Sequence, residues 1–132
     1  MKKTLTLLIC LICYQILCHA QVADEHYYFK NLSVQNGLSQ NTVNTILQDK
    51  QGFMWFGTKD GLNRYDGLSF RKFKHDDRSQ RSIGNNFITA LYEDEKGSIW
   101  VGTDVGLYIY YPEKDSFEHF TKQSVENTRI EH

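Results

Sequence analysis

Three groups of residues in this chain are of types that could do chemistry: a cysteine pair, a set of carboxylates and two tryptophans. Cys10-x-x-Cys13, followed by Cys18, has the spacing of a redox or zinc half-site. No second ligand pair accompanies it, so neither reading is completed. Asp49 and Asp94, each with a glycine three residues later, could open a short calcium loop. Such a loop draws roughly six oxygen ligands from about twelve residues, and one Asp per turn is too few. Each Asp is instead expected to bond the amides of its own turn. Asp60, Asp66, Asp76, Asp77 and Asp104 fall in loop-like surroundings where two carboxylates could meet as a glycosidase pair. Their spacing singles out no pair, and solvated loop charge is the default. His26, His75, His119 and His132 are isolated in polar strand ends or tails. No catalytic residue, cofactor ligand or metal ligand is assigned. Trp55 and Trp100 could stack on sugar rings. Each, however, stands mid-strand at the same place in a repeat, which is what packing between sheets requires.

The elements that position these residues begin after a leader. Lys2 and Lys3 precede an apolar run from Leu5 to Cys18, then His19 and Ala20. A charged start, a short apolar core and a small residue before Gln21 describe a signal peptide over residues 1–20. The run is shorter than the roughly 20 apolar residues a spanning helix needs. All three cysteines lie within it, so the exported chain is expected to hold no disulfide. Losing Lys2 and Lys3 leaves 13 basic against 16 acidic side chains. That balance removes the electrostatic case for nucleic-acid binding. With 14% aromatic residues, the chain has material for a core and is not disordered in general.

Residues 41–65 repeat as residues 86–110, with nine identities in 25 ungapped positions. The identical pairs are Asn41/Asn86, Asp49/Asp94, Gly52/Gly97, Trp55/Trp100, Gly57/Gly102, Thr58/Thr103, Gly61/Gly106, Leu62/Leu107 and Tyr65/Tyr110. Two residues are then inserted, and Phe70/Phe117 and Phe73/Phe120 align at an offset of 47. The chain therefore divides into residues 21–40, a lead-in strand (Tyr27–Phe29) and loop, repeat one at 41–85 and repeat two at 86–132.

Each copy reads as four short strands separated by turn residues. In copy one these are Val43–Gln48, Phe53–Gly57, Leu62–Tyr65 and Ser69–Phe73, with a tight turn at Asp49–Gly52 and a hairpin signal at Asp66-Gly67. Copy two repeats them as Ile88–Glu93, Ile99–Gly102, Gly106–Tyr111 and Phe117–Phe120. No segment has a helical period. The second strands are apolar on successive residues, which suits a sheet covered on both faces. Four antiparallel strands in 45 residues match a β-propeller blade. The expected fold is all-β, two four-stranded blades of an incomplete propeller.

The pattern Asp-x-x-Gly-x-x-Trp-x-Gly-Thr-x-x-Gly-Leu-x-x-Tyr, at Asp49–Tyr65 and again at Asp94–Tyr110, resembles the two-component regulator propeller repeat. The lead-in from Phe29 to Val43, with Asn36-Gly37-Leu38-Ser39, also resembles the opening of such sensors. The resemblance implies a periplasmic propeller, seven-bladed and about 315 residues at this period, followed by a β-sandwich, a membrane helix and a histidine kinase. It implies oligosaccharide ligands bound between periplasmic domains. The kinase's phospho-accepting His, nucleotide-binding glycines and receiver Asp have no counterpart in these 132 residues, so kinase activity is not assigned to them. The chain stops near where a third first strand is due, and the remaining blades are expected as further repeats or as other copies of the chain. Contact with a membrane is expected only through that missing C-terminal part.

Positions that differ between the copies are the better ligand candidates, because identical positions build the blade. They are Lys59, Asp60, Asn63 and Arg64 in copy one, and Asp104 and Tyr108 in copy two. The expected function is an exported sensing module, the N-terminal part of a two-component sensor. A short binding protein that completes its ring by oligomerising, and a fragment of a propeller glycosidase or lyase, are the alternatives.

Overall fold

The computed structural model describes residues 27–121. The expected signal peptide over residues 1–20 and all three cysteines lie outside the described residues. A single 3₁₀ turn at Val34–Asn36 precedes eight strands: β1 (Val43–Gln48), β2 (Met54–Thr58), β3 (Gly61–Tyr65), β4 (Phe70–Phe73), β5 (Ile88–Glu93), β6 (Ile99–Thr103), β7 (Gly106–Tyr111) and β8 (Ser116–His119). They form two four-stranded sheets in sequential order, β1-β2-β3-β4 and β5-β6-β7-β8. Every neighbouring pair is antiparallel. Each 45-residue repeat is one blade of a propeller.

The registers explain why the two copies share so many residues. Both first pairs are irregular at the same place, between Val43 and Thr45 and between Ile88 and Ala90. The extra residue of blade one, Asn44, donates its side-chain amide to the Ile88 carbonyl at 2.8 Å, a bond between blades. A bulge of this kind re-aims a side chain out of the ladder. The second strands run one residue beyond the expected Gly57 and Gly102. Thr58 and Thr103 turn their hydroxyls onto the carbonyls of Gly61 and Gly106 at 2.9 and 2.8 Å, which closes the bend.

Two expectations are corrected. Residues 27–29 form no strand, and Tyr27, Tyr28 and Phe29 are 77%, 91% and 98% exposed. The lead-in instead contributes at Leu32 and Leu38, which cover the back of blade one against Phe56, Tyr65, Val43, Met54 and Phe70. The last strand starts at Ser116 and ends at His119 rather than running from Phe117 to Phe120. The Phe120 amide still donates to the Leu107 carbonyl at 2.8 Å just past its end.

Alternation along the strands gives each blade a front and a back. The front of blade one carries Leu47, Trp55, Gly57, Leu62 and Phe73, placed together by the strand registers. It packs on the back of blade two, where Ile83, Ile99, Val101, Tyr108, Tyr110 and Phe117 complete one cluster. Trp55 is the centre of that seam, 1% exposed, with the rings of Phe73 and Tyr110 at 5.7 and 5.4 Å. Gly57 makes the close approach possible. A Cβ there would lie 2.6 Å from methyls of both Ile88 and Thr45.

Candidate functional site

The Asp of each repeat builds a clasp. Oδ1 of Asp49 accepts the amides of Gln51 and Phe53 at 3.0 and 2.9 Å, and Oδ2 accepts the indole N–H of Trp55 at 2.7 Å. Asp94 does the same with Lys96, Ser98 and Trp100, at 2.9, 2.9 and 3.0 Å. Gly52 and Gly97 close the two turns at φ 92 and 82, a region glycine enters without strain. The expected Asx turn is present. The bond across to the tryptophan, six residues away, completes it and ties the turn to the blade seam. Burial pushes the Asp94 carboxyl up, but the Trp100 indole and the Ser98 and Lys96 amides outweigh it and hold it below its ordinary value. Trp55 is therefore a packing residue of the seam.

The six candidate residues separate into two groups. Asn63 is fully buried. It accepts the Ser39 amide at 2.9 Å and donates to the Ser39 hydroxyl at 2.8 Å and the Phe56 carbonyl at 3.3 Å. Tyr108, its counterpart in blade two, is 9% exposed and stacks on His119 at 4.8 Å. A Cβ on Gly84 would fall 1.9 Å from the Tyr108 hydroxyl. Ser39 with Asn63 and Gly84 with Tyr108 are thus two fillings of one slot, 45 residues apart. Expecting these two residues to face a ligand is corrected by their burial.

Lys59, Asp60 and Asp104 occupy the β2–β3 and β6–β7 turns, at the end of the sheets where the blade linker, residues 74–87, also runs. Lys59 holds its ammonium 6.0 Å over the Phe87 ring. Asp60 pairs with Lys74 at 2.6 Å, and Asp104 is exposed. Arg64 belongs to the front face of blade one, its guanidinium 4.5 Å over Phe53 and 5.7 Å over Trp55.

The remaining loop carboxylates serve their own turns. Asp66 accepts the Leu68 and Ser69 amides at 2.8 and 2.7 Å, and the Ser69 and Leu68 amides hold it below its ordinary value. Asp76 pairs with Arg78, and Asp77 with His75 at 2.7 Å. The His75 ring also bonds the Ile83 carbonyl at 2.9 Å. That carbonyl first, and then Asp77, raise its pKa. Among the described residues, no group of three or more His, Cys, Asp or Glu is arranged to hold a metal ion.

Two features had no reading in the sequence. Arg71 of blade one meets Asp115 of blade two at 2.6 Å, and Asp115 also accepts the Tyr110 hydroxyl at 2.9 Å. Arg71 first, and then Tyr110, lower the Asp115 carboxyl, while burial and Asp115 push the Tyr110 phenol up to about 12. Asp115 sits in the turn lengthened by the two inserted residues, at φ 50, so the insertion itself was the signal. Beside that turn, Gln80, Arg81, Lys114, Ser116, Phe117 and Glu118 line an open groove of about 520 Å³.

Comparison with known proteins agrees with this geometry. Residues 37–60 and 82–105 match the sequence profile of the two component regulator propeller. Both matches start four residues before the repeat boundaries at 41 and 86, and so include Leu38 and Ile83. A histidine kinase P4 of Formosa agariphila is 40% identical over 60 residues, which are 46% of this chain and 4% of that kinase. Among solved structures, the extracellular domain of a hybrid two-component system from B. thetaiotaomicron superposes with a TM-score of 0.67 and 38% identity, over 73% of this chain and 14% of that one. The extracellular domain of a one-component system from the same organism has a TM-score of 0.59 at 23% identity, over 72% of this chain and 14% of that one, and shares the fold. The chain spans only a small part of each of these relatives. Among the described residues, no helix is long and apolar enough to cross a membrane. The repeated Asp-Gly-Trp clasp, the four-stranded blades and the profile matches agree: residues 37–60 and 82–105 lie in two blades of the kind the two component regulator propeller profile describes.

Proposed function

We propose that the chain is an exported, periplasmic ligand-sensing module of a two-component signalling system, and that its ligand is an oligosaccharide. The observation that carries this reading is the 38% likeness, over 73% of the chain, to an extracellular domain of a hybrid two-component system. The module recognises and does not catalyse. Kinase activity and signalling across the membrane are not assigned to these 132 residues. The candidate contact residues are Lys59, Asp60 and Asp104, on turns at one end of the blades, with Arg64 at the seam.

The test is a thermal-shift and calorimetric screen of neutral and acidic oligosaccharides against the full chain. The reading expects at least one saturable ligand, with affinity reduced at least tenfold, about 1.4 kcal/mol, by Asp60→Asn or Asp104→Asn. Saturable binding untouched by any of the four positions would remove the proposed site. No binding across the panel would overturn the oligosaccharide assignment.

A further inference from the structure

The groove beside the β7–β8 turn is lined by donors that the fold leaves unused. Ser116 is 8% exposed, yet among the described residues its hydroxyl makes no hydrogen bond. A polar side chain so deeply buried is ordinarily paired, and the groove is the space this one faces. The Arg81 guanidinium, also on the groove, makes no ion pair or hydrogen bond among the described residues. The Lys114 ammonium stands at the rim, 4.7 Å over the Tyr111 ring and 3.6 Å from the Glu118 carboxylate. Lys114 and Glu118 offset each other, so Arg81 gives the groove its net positive charge.

The walls are held in place by the protein itself. The Phe117 amide donates to the Arg81 carbonyl at 2.9 Å, which fixes the arginine to the outer edge of β8. The Ser82 hydroxyl accepts the Asp76 amide at 3.1 Å and donates to the Ser79 carbonyl at 2.9 Å. The Ser79 amide donates to the Asp76 carbonyl at 2.9 Å, so residues 76–82 form one bonded turn. Blade one has the same place without the free donors. Its serine, Ser69, lies 47 residues before Ser116 and donates its hydroxyl to Asp66 at 3.1 Å. Glu113, the counterpart of Asp66, makes no such bond to Ser116. Gly67 stands for Lys114 and Asn36 for Arg81, and the Asn36 side-chain oxygen is spent on the Ser33 amide at 3.0 Å.

We propose that this groove binds an oxyanion, a carboxylate or sulfate group, through the Arg81 guanidinium, the Ser116 hydroxyl and the Lys114 ammonium. A guanidinium presents paired N–H donors that match the oxygens of such a group. Glu118 opposes the anion and limits its affinity. The site is separate from the turns that carry Asp60 and Asp104, and it does not depend on the oligosaccharide reading.

Nuclear magnetic resonance titration of the full 132-residue chain with sulfate, glucuronate and glucose, at constant ionic strength, tests it. Sulfate and glucuronate should shift the Arg81 and Ser116 signals saturably, and glucose should not. Arg81→Gln should weaken binding about tenfold or more, and Ser116→Ala about threefold. Glu118→Gln should tighten it, and the amide spectrum shows that each variant is folded. Equal affinity for the two anions points to a free anion as the ligand, and much tighter glucuronate binding points to an acidic sugar. Asp60→Asn and Asp104→Asn should leave this binding unchanged, so the two sites stand or fall separately. No saturable shift with either anion, or binding that Arg81→Gln does not weaken, overturns the proposal.

Discussion

Replacing Asp49 by alanine should destabilise the chain more than replacing Asp94, although the two residues make the same three hydrogen bonds. Each substitution removes two turn-amide bonds, at about 1 kcal/mol apiece on the scale of helix and turn caps. The indole bond separates the two cases. Trp55 is 1% exposed, so its N–H would be left buried without an acceptor, at a further cost of about 1–3 kcal/mol. Trp100 is only partly buried, and water can replace the lost carboxylate. The expected losses are about 3–5 kcal/mol for Asp49→Ala and about 2 kcal/mol for Asp94→Ala. A domain of ordinary stability has only about 5–15 kcal/mol in all, so the first variant should approach unfolding. Urea titrations followed by tryptophan fluorescence give both numbers, at protein concentrations low enough that copies do not associate. Equal losses, or a larger loss at Asp94, would refute the reasoning, because the asymmetry comes only from the seam that covers one tryptophan and not the other.

Gly84→Ser should overpack against Tyr108 and lose about 1–3 kcal/mol. Adding Tyr108→Asn should recover much of that loss, since it installs the Ser39/Asn63 filling of the same slot. Arg71 and Asp115 are each about half exposed, so a double-mutant cycle should give a coupling of about 0.2–1 kcal/mol that shrinks with salt. His75 has a folded pKa raised above 6.5. Its contribution is fully present below that value and disappears as pH rises through the folded pKa. Stability measured across that window should fall, and His75→Gln should flatten the curve. Asp94 and Asp115 are lowered below 3.8. The stability they add is present above that value and disappears as pH falls through their folded pKa, so Asp115→Asn should reduce the acid sensitivity of unfolding.

The blades were legible because their determinants recur at a fixed interval. Two copies of Asp, Gly, Trp and Gly set the turn, the clasp and the close approach, and eight strands follow with ends shifted by a residue or two. The seam was legible only in outline. That Trp55 packs between sheets follows from its mid-strand place, but its bond to Asp49 needs the turn geometry that brings position six back over position zero. Asn63 and Tyr108 were misread because a difference between copies has two sources. It can mark a surface adapted to a ligand, or a slot refilled by a compensating neighbour. Ser39 and Gly84 supply the compensation, and they lie 24 residues before their partners, outside any local pattern. Leu38 and Ile83 were missed for a related reason: each unit's packing starts ahead of its first strand. The Arg71–Asp115 pair needed the conformation of an inserted turn, which no periodicity specifies.

The front-to-back seam is the claim on which the rest depends, and a nuclear Overhauser spectrum tests it most directly. The Trp55 ring should show cross-peaks to the Tyr110 ring, 5.4 Å away by centroid and 55 residues distant in sequence, as well as to Phe73 of its own blade. Cross-peaks from Trp55 to Phe73 but not to Tyr110 would mean that each repeat folds without the other, and would contradict the account.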